Sequence, residues 1–137
     1  MKLKLKWWWY ILPAYLTLWS VGFSLWNLVD ANGMMESFGI DTGGATEFIM
    51  LNSASRYVAV ALGMALGIWV FRTFHSMLLA LLVRLSMDVL DLYSGLQAQI
   101  ITDFSGVLQS LTMFLLPGVL SIFLLIRMAT QLPAESV

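Results

Sequence analysis

The chain has 137 residues, of which 60% are hydrophobic and only 11% charged, against about 45–50% and roughly 25% in soluble domains. A soluble chain this short could not hide so much apolar surface, so composition places it among integral membrane proteins. A net charge of -1, with seven basic and eight acidic groups, leaves no basic face for nucleic acid. The absence of cysteine removes disulfides, thiolate metal sites and thiol catalysis together, and a lone histidine, His75, argues against a His-rich metal centre. No cofactor is expected.

Met1 to Lys6 is a short basic tail, followed by Trp7, Trp8, Trp9 and Tyr10. Such rings favour the headgroup zone, and lysines just outside it favour the cytoplasmic side. No charge appears from Trp7 to Val29, so a first span is expected over about residues 9–29. A cleaved signal peptide competes with that reading, but its apolar region would be too long and no small-residue cleavage site precedes Asp30. Pro13 sits near the helix start, where a missing N–H does little harm. Ser20, Ser24 and Asn27 recur at spacings of four and three and are expected to face inward.

Residues 30–47 break the pattern with four glycines, four carboxylates (Asp30, Glu36, Asp41, Glu47) and no basic residue. This stretch reads as a loop, either plainly solvated or, through Met34, Met35, Phe38 and Ile40, folded over the bundle mouth. The second span is expected over about 48–71, with Thr46 as a cap and Glu47 in the first turn, where the helix dipole favours an anion. Asn52, Arg56, Ala59, Gly63 and Gly67 share one face of it. Gly63 and Gly67 form a GxxxG pair, the spacing that lets a second helix backbone approach closely, and are expected to pack a helix.

Arg72 to His75 is a short basic turn, so the second and third spans form an antiparallel hairpin, with Thr73 capping the third. The third, about 74–98, is apolar enough to cross a bilayer yet carries Arg84, Asp88 and Asp91 on one face, at spacings of four and three. Met77, Leu81 and Gly95 extend the same stripe. Residues 99–106 connect to a fourth span, about 107–128, which Pro117–Gly118 should kink or loosen.

Under four alternating spans Lys2, Lys4, Lys6, Arg72 and Arg127 fall on one side, and Asp30, Glu36, Asp41, Glu47 and Asp103 on the other. By the positive-inside rule both termini are cytoplasmic. The expected fold is therefore all-α: one domain spanning residues 1–137, an antiparallel four-helix transmembrane bundle.

Ionisable groups inside a lipid-spanning helix are costly and turn inward, which makes them candidates for a functional site. At about 1.5 Å per residue, Arg56, Asp88 and Asp91 lie roughly 12, 15 and 10 Å below the outer surface, with Arg84 about one turn deeper than Asp88. Arg56 can then meet the two aspartates across the hairpin while Arg84 reaches Asp88 along its own helix. Asn27, Asn52, Tyr57 and Tyr93 would add hydrogen bonds if they turn inward. Two readings stay open: an ion-pair network that fixes helix register, with all its partners internal, or an outward-opening polar pocket in which the arginines grip a small ligand and the aspartates accept protons. His75 reads as interfacial, Trp19 and Trp26 as helix packing. No GxSxG, Walker or GxGxxG motif occurs.

The pattern Arg56-x6-Gly63, then Arg84-x3-Asp88-x2-Asp91 within four short spans, resembles small bacterial membrane proteins described as DoxX-like or as four-span domains of unknown function. The resemblance covers mainly residues 48–98 and implies a compact four-helix bundle in a bacterial inner membrane; it implies no activity. Three functions follow as expectations: a protein that handles a small ligand or proton; an accessory subunit using the GxxxG face and the Trp-rich first helix; or an enzyme acting on a lipid or quinone through an aspartate. The expected partners are the lipid bilayer, a small-molecule ligand or lipid, and either a second copy or a larger membrane complex.

Overall fold

A computed structural model describes residues 5–30, 33, 44–97, 101 and 103–131, with side chains in the second helix described from residue 53 onward. Among these residues the chain is all-α, with four helices and no strand. A 3₁₀ turn, Trp7–Tyr10, leads into α1, Ile11–Val29. Helix α2 runs over Gly44–Met64 and continues as a π-helical segment, Ala65–Phe71. Helix α3 is Phe74–Gln97 and α4 is Phe104–Thr130. These bounds lie within a few residues of those read from the apolar runs. Helix α2 already begins at Gly44, so residues 44–47 are helical rather than the end of a loop, and Thr46 stands inside the first turn instead of capping it. Residues 31, 32 and 34–43, the side chains of Thr46, Glu47 and Asn52, and Lys2 and Lys4 lie outside what is described.

The chain order is also the packing order: α1 lies on α2, α2 on α3, α3 on α4, and α4 closes back on α1. Trp9 before α1, Ile68 late in α2, Met77 early in α3 and Leu125 late in α4 share one buried cluster. Starts and ends meeting in one layer require successive helices to alternate in direction. The inward stripes were legible from spacing. Ser20, Ser24 and Asn27 of α1 are buried, as are Met77, Leu81, Arg84, Asp88 and Gly95 of α3. Helix α4 contributes Gly118, Ser121, Leu125 and Ala129.

The interruption expected at Pro117 appears just before it, as a π-helical segment over Leu111–Leu115. Proline has no N–H and its ring crowds the carbonyl four residues back, here Met113, so the ladder widens across that turn. The aromatic run before α1 departs from expectation. Trp7 is exposed, but Trp9 is 1% exposed and its indole Nε1 donates to the Ser121 carbonyl at 3.2 Å. A ring with a donor satisfied inside the bundle loses its reason to stay at an interface.

Only Arg72 and Thr73 separate α2 from α3. Arg72 takes a left-handed conformation, φ 56°, the usual way to terminate a helix although seldom with a side chain this large. Thr73 and Ser76 form a capping box. The Ser76 N–H donates to Thr73 Oγ1 and the Thr73 N–H to Ser76 Oγ, both at 3.1 Å. The Ser76 hydroxyl also donates across the turn to the Gly67 carbonyl at 3.0 Å.

This contact divides the glycine pair. A Cβ on Gly67 would sit 2.7 Å from the Ser76 carbonyl oxygen and 2.9 Å from the Ala80 Cβ, so Gly67 is where α2 and α3 touch. A Cβ on Gly63 would meet nothing within 4 Å. The expectation that both glycines pack a helix is corrected. One turn beyond Gly67 the hairpin has splayed, and Gly63 lines an apolar groove of about 420 Å³ with Ala59, Leu66, Leu79 and Val83.

Gly67→Ala should therefore destabilise the bundle by about 1–3 kcal/mol, as overpacking does, whereas Gly63→Ala should be neutral or mildly stabilising through helix propensity. Thermal unfolding of the two variants in one detergent checks this; equal midpoints would remove the distinction.

Candidate functional site

The polar groups of the bundle form two linked sets. The inner one is closed. Arg84 is 1% exposed, and its Nη2 lies 2.8 Å from Asp88 Oδ1, one turn along α3. Its other terminal nitrogen, Nη1, donates to Ser20 Oγ of α1 at 3.0 Å. That hydroxyl in turn donates to the Leu16 carbonyl at 2.9 Å, which fixes its lone pairs toward the arginine. The guanidinium also lies against the Tyr57 ring of α2, 5.7 Å from its centroid, a cation–π contact strengthened by burial. Three helices thus meet on one cation.

The outer set opens. Tyr57 donates its phenol proton to Asp91 in a short hydrogen bond. The other oxygen of Asp91 faces Arg56 Nη2 at 3.7 Å, in a pair whose side chains are 52% and 31% exposed for Arg56 and Asp91 respectively. Arg56 also donates to Ser53 Oγ at 3.4 Å. Phe23 of α1 packs tilted against the Tyr57 ring, with centroids 4.5 Å apart. Tyr57 is consequently the hinge between the sets: its face rests on Arg84 and its hydroxyl on Asp91.

The sequence places most of these groups correctly and some not. Arg84 and Asp88 pair along α3 as the spacing requires. Arg56 and Asp91 meet across the hairpin, but the expected reach of Arg56 to Asp88 is not seen; Asp88 is held by Arg84 instead. Tyr57 turns inward. Tyr93 does not: it is exposed, because two residues beyond Asp91 is about 200° round the helix, and it leaves the site. Asn27 is buried, yet its amide donates to the Phe23 carbonyl of its own helix at 2.8 Å rather than to a carboxylate.

Ser20 is the partner missed. Its inward face was legible; its bond to Arg84 was not, because periodicity gives the face of a helix and not its height against a neighbour. Asp103, in the stretch expected to connect the third and fourth spans, is the N-cap of α4, accepting from the Gly106 N–H at 3.0 Å.

Three buried polar atoms in this region have no hydrogen-bond partner among the described residues: Arg84 Nε, Asp88 Oδ2 and Asn27 Oδ1. No group of three His, Asp or Glu side chains is close enough to hold a metal ion among the described residues. Comparison with protein-family models, curated proteins and solved structures finds no match to this chain.

The inner pair can be separated from the outer by a replacement cycle. Arg84→Met alone leaves the Asp88 carboxylate buried without its partner and should cost about 3–5 kcal/mol. Arg84→Met with Asp88→Leu removes both charges and should recover most of that loss. Unfolding of the single and double variants measures it, and a double variant as unstable as the single would show that the pair is not the stabilising unit.

Proposed function

We propose that the chain is a four-span integral membrane protein whose outer polar set, Asp91 with Tyr57 and Arg56, exchanges protons with, or binds a small polar ligand from, the side opposite the basic termini. The observation that carries the membrane reading is an inverted distribution of polarity. Large apolar side chains point outward on every helix, with Leu18 71%, Leu62 58%, Leu79 64% and Phe123 57% exposed. Arg84, Asn27, Ser20 and Ser121 are buried at the same time. Water would favour neither; hydrocarbon favours both.

Two helical segments, Ser53–Phe71 and Phe104–Thr130, are long and apolar enough to cross by themselves. Helix α1 is diluted by Trp19, Ser20, Ser24, Trp26 and Asn27, and α3 by its three charges. They cross, on this reading, because their polar faces are covered by the other helices. The charges at the two ends agree. Lys6, Arg72 and Arg127 flank one layer and Asp30 and Asp103 the other, the asymmetry expected with the basic end cytoplasmic.

Within that frame the sealed Arg84–Asp88 pair is the fixed element and Asp91 the exchangeable one. Asp91 is half-exposed and bears a hydroxyl on one oxygen and a loosely held cation on the other. Asp88 Oδ2 and Arg84 Nε, enclosed behind Tyr57, have no hydrogen-bond partner among the described residues. Arg56, more exposed than its partner, attracts an anionic or carbonyl group at the mouth. The accessory-subunit reading has one observation in its favour, the open apolar groove beside Gly63.

Topology is directly testable because the chain has no cysteine of its own. An impermeant maleimide applied to intact cells should label Ser105→Cys and spare Thr130→Cys until the membrane is opened; the reverse pattern would invert the topology, and equal labelling would end the spanning reading. In vesicles holding a pH-sensitive dye or the candidate ligand, Asp91→Asn should slow exchange on the order of 100-fold, the usual worth of a positioned proton-transfer group, while the protein stays folded. Full activity in Asp91→Asn would remove Asp91 from the function.

A further inference from the structure

The cytoplasmic end carries a second concave feature, remote from the Arg–Asp network. The 3₁₀ turn Trp7–Tyr10 is pulled down on α4 by Trp9, whose buried indole is tied to the Ser121 carbonyl. That anchor lays Lys6 and Trp8 over the last turns of α4. There Leu124, Arg127, Met128 and Gln131 follow one another at spacings of three, one and three, on a single face. Together these six residues line a cleft of about 220 Å³.

We infer that this cleft is a binding site for the phosphate of an anionic phospholipid. The inference rests on the membrane reading above. Its chemistry is divided as such a ligand is divided. Lys6 and Arg127 supply two cations, neither in an ion pair among the described residues, and the Gln131 amide supplies a further donor. Trp8, Leu124 and Met128 supply an apolar wall for the glycerol and upper acyl region.

A free phosphate ester would use the cations and leave the wall idle. Leu120, exposed and one turn before Leu124 on the same face of α4, continues the apolar surface toward mid-membrane, along the path an acyl chain takes. Arginine and lysine differ in a useful way here: the planar guanidinium grips two phosphate oxygens while the ammonium acts as a point charge. Because the buried Trp9 fixes the turn, the two cations are brought together before any lipid arrives, and little ordering cost is left to binding.

The full chain in mild detergent, equilibrated with equal amounts of phosphatidylglycerol and phosphatidylcholine of matched acyl chains, provides the test, with retained lipid read by native mass spectrometry. Phosphatidylglycerol should be retained on the order of 25-fold in preference, since each juxtamembrane cation is worth roughly fivefold. Lys6→Gln and Arg127→Gln should each lower that preference about fivefold, and the double variant should abolish it. Equal retention of the two lipids, or an unchanged preference in the double variant, would overturn the assignment. Displacement of the lipid by millimolar glycerol 3-phosphate would overturn it in favour of a soluble phosphate ester. A chain that alkaline carbonate strips from membranes fails the membrane reading itself; one that stays in the bilayer without lipid preference fails only this inference.

Discussion

The buried guanidinium of Arg84 sets the terms for the rest of the bundle. An unpaired charge in an apolar interior is expensive enough that it must be neutralised and hydrogen-bonded in place. Asp88, one turn away on the same helix, does the neutralising without help from the fold. The remaining valences recruit the other helices: Ser20 brings α1 to the correct height and the Tyr57 ring brings α2. A shift of either helix by one residue would rotate that partner by about 100° and withdraw it. The pair thus acts as a register pin, a role for which buried polar groups are well attested. It also shapes the neighbourhood of Asp91, since the hydroxyl of the tyrosine that covers Arg84 is the one that holds Asp91.

How much of this was legible in the chain depends on what a given signal encodes. Apolar run length located all four helices, and the 3.6-residue period gave the inward faces of α1 and α3, so Ser24, Met77, Leu81 and Gly95 fall where the stripe placed them. The i, i+4 spacing gave the Arg84–Asp88 pair because both ends lie on one helix. Relations between helices were harder. Depth counting brought Arg56 to both aspartates, and only the meeting with Asp91 is seen, since counting could not tell that Asp88 would already be engaged.

The glycine pair shows the same limit: Gly63 and Gly67 are equivalent as a motif, yet only Gly67 touches α3, because the hairpin turn at Arg72–Thr73 forces contact near itself and lets the helices diverge beyond. Trp9 was misread for a further reason. Three successive tryptophans look alike in composition, and only the position of the Ser121 carbonyl on α4 distinguishes the one that goes inside. Tyr93 was carried by proximity in sequence to Asp91, a poor guide on a helix.

The two ends of the molecule are built differently among the described residues. At the Arg72 end the helices are tied together at several points: the Trp9 indole on Ser121, the Thr73–Ser76 capping box, the Ser76 hydroxyl on Gly67, and the close backbone approach at Gly67 itself. Each tie runs between main chain and a short or rigid side chain, so none is easily exchanged for water. Toward the other end the tie among the described residues is longer and partly exposed. Arg56 holds Asp91 at 3.7 Å through a flexible side chain, and such exposed pairs contribute little net stability. Among the described residues Asp91 lies on this looser side, with Tyr57 behind it and the Arg84–Asp88 pair enclosed beyond. The electrostatic gradient runs the same way, from a buried ion pair deep in the bundle, Arg84 with Asp88, to the half-exposed pair of Arg56 with Asp91.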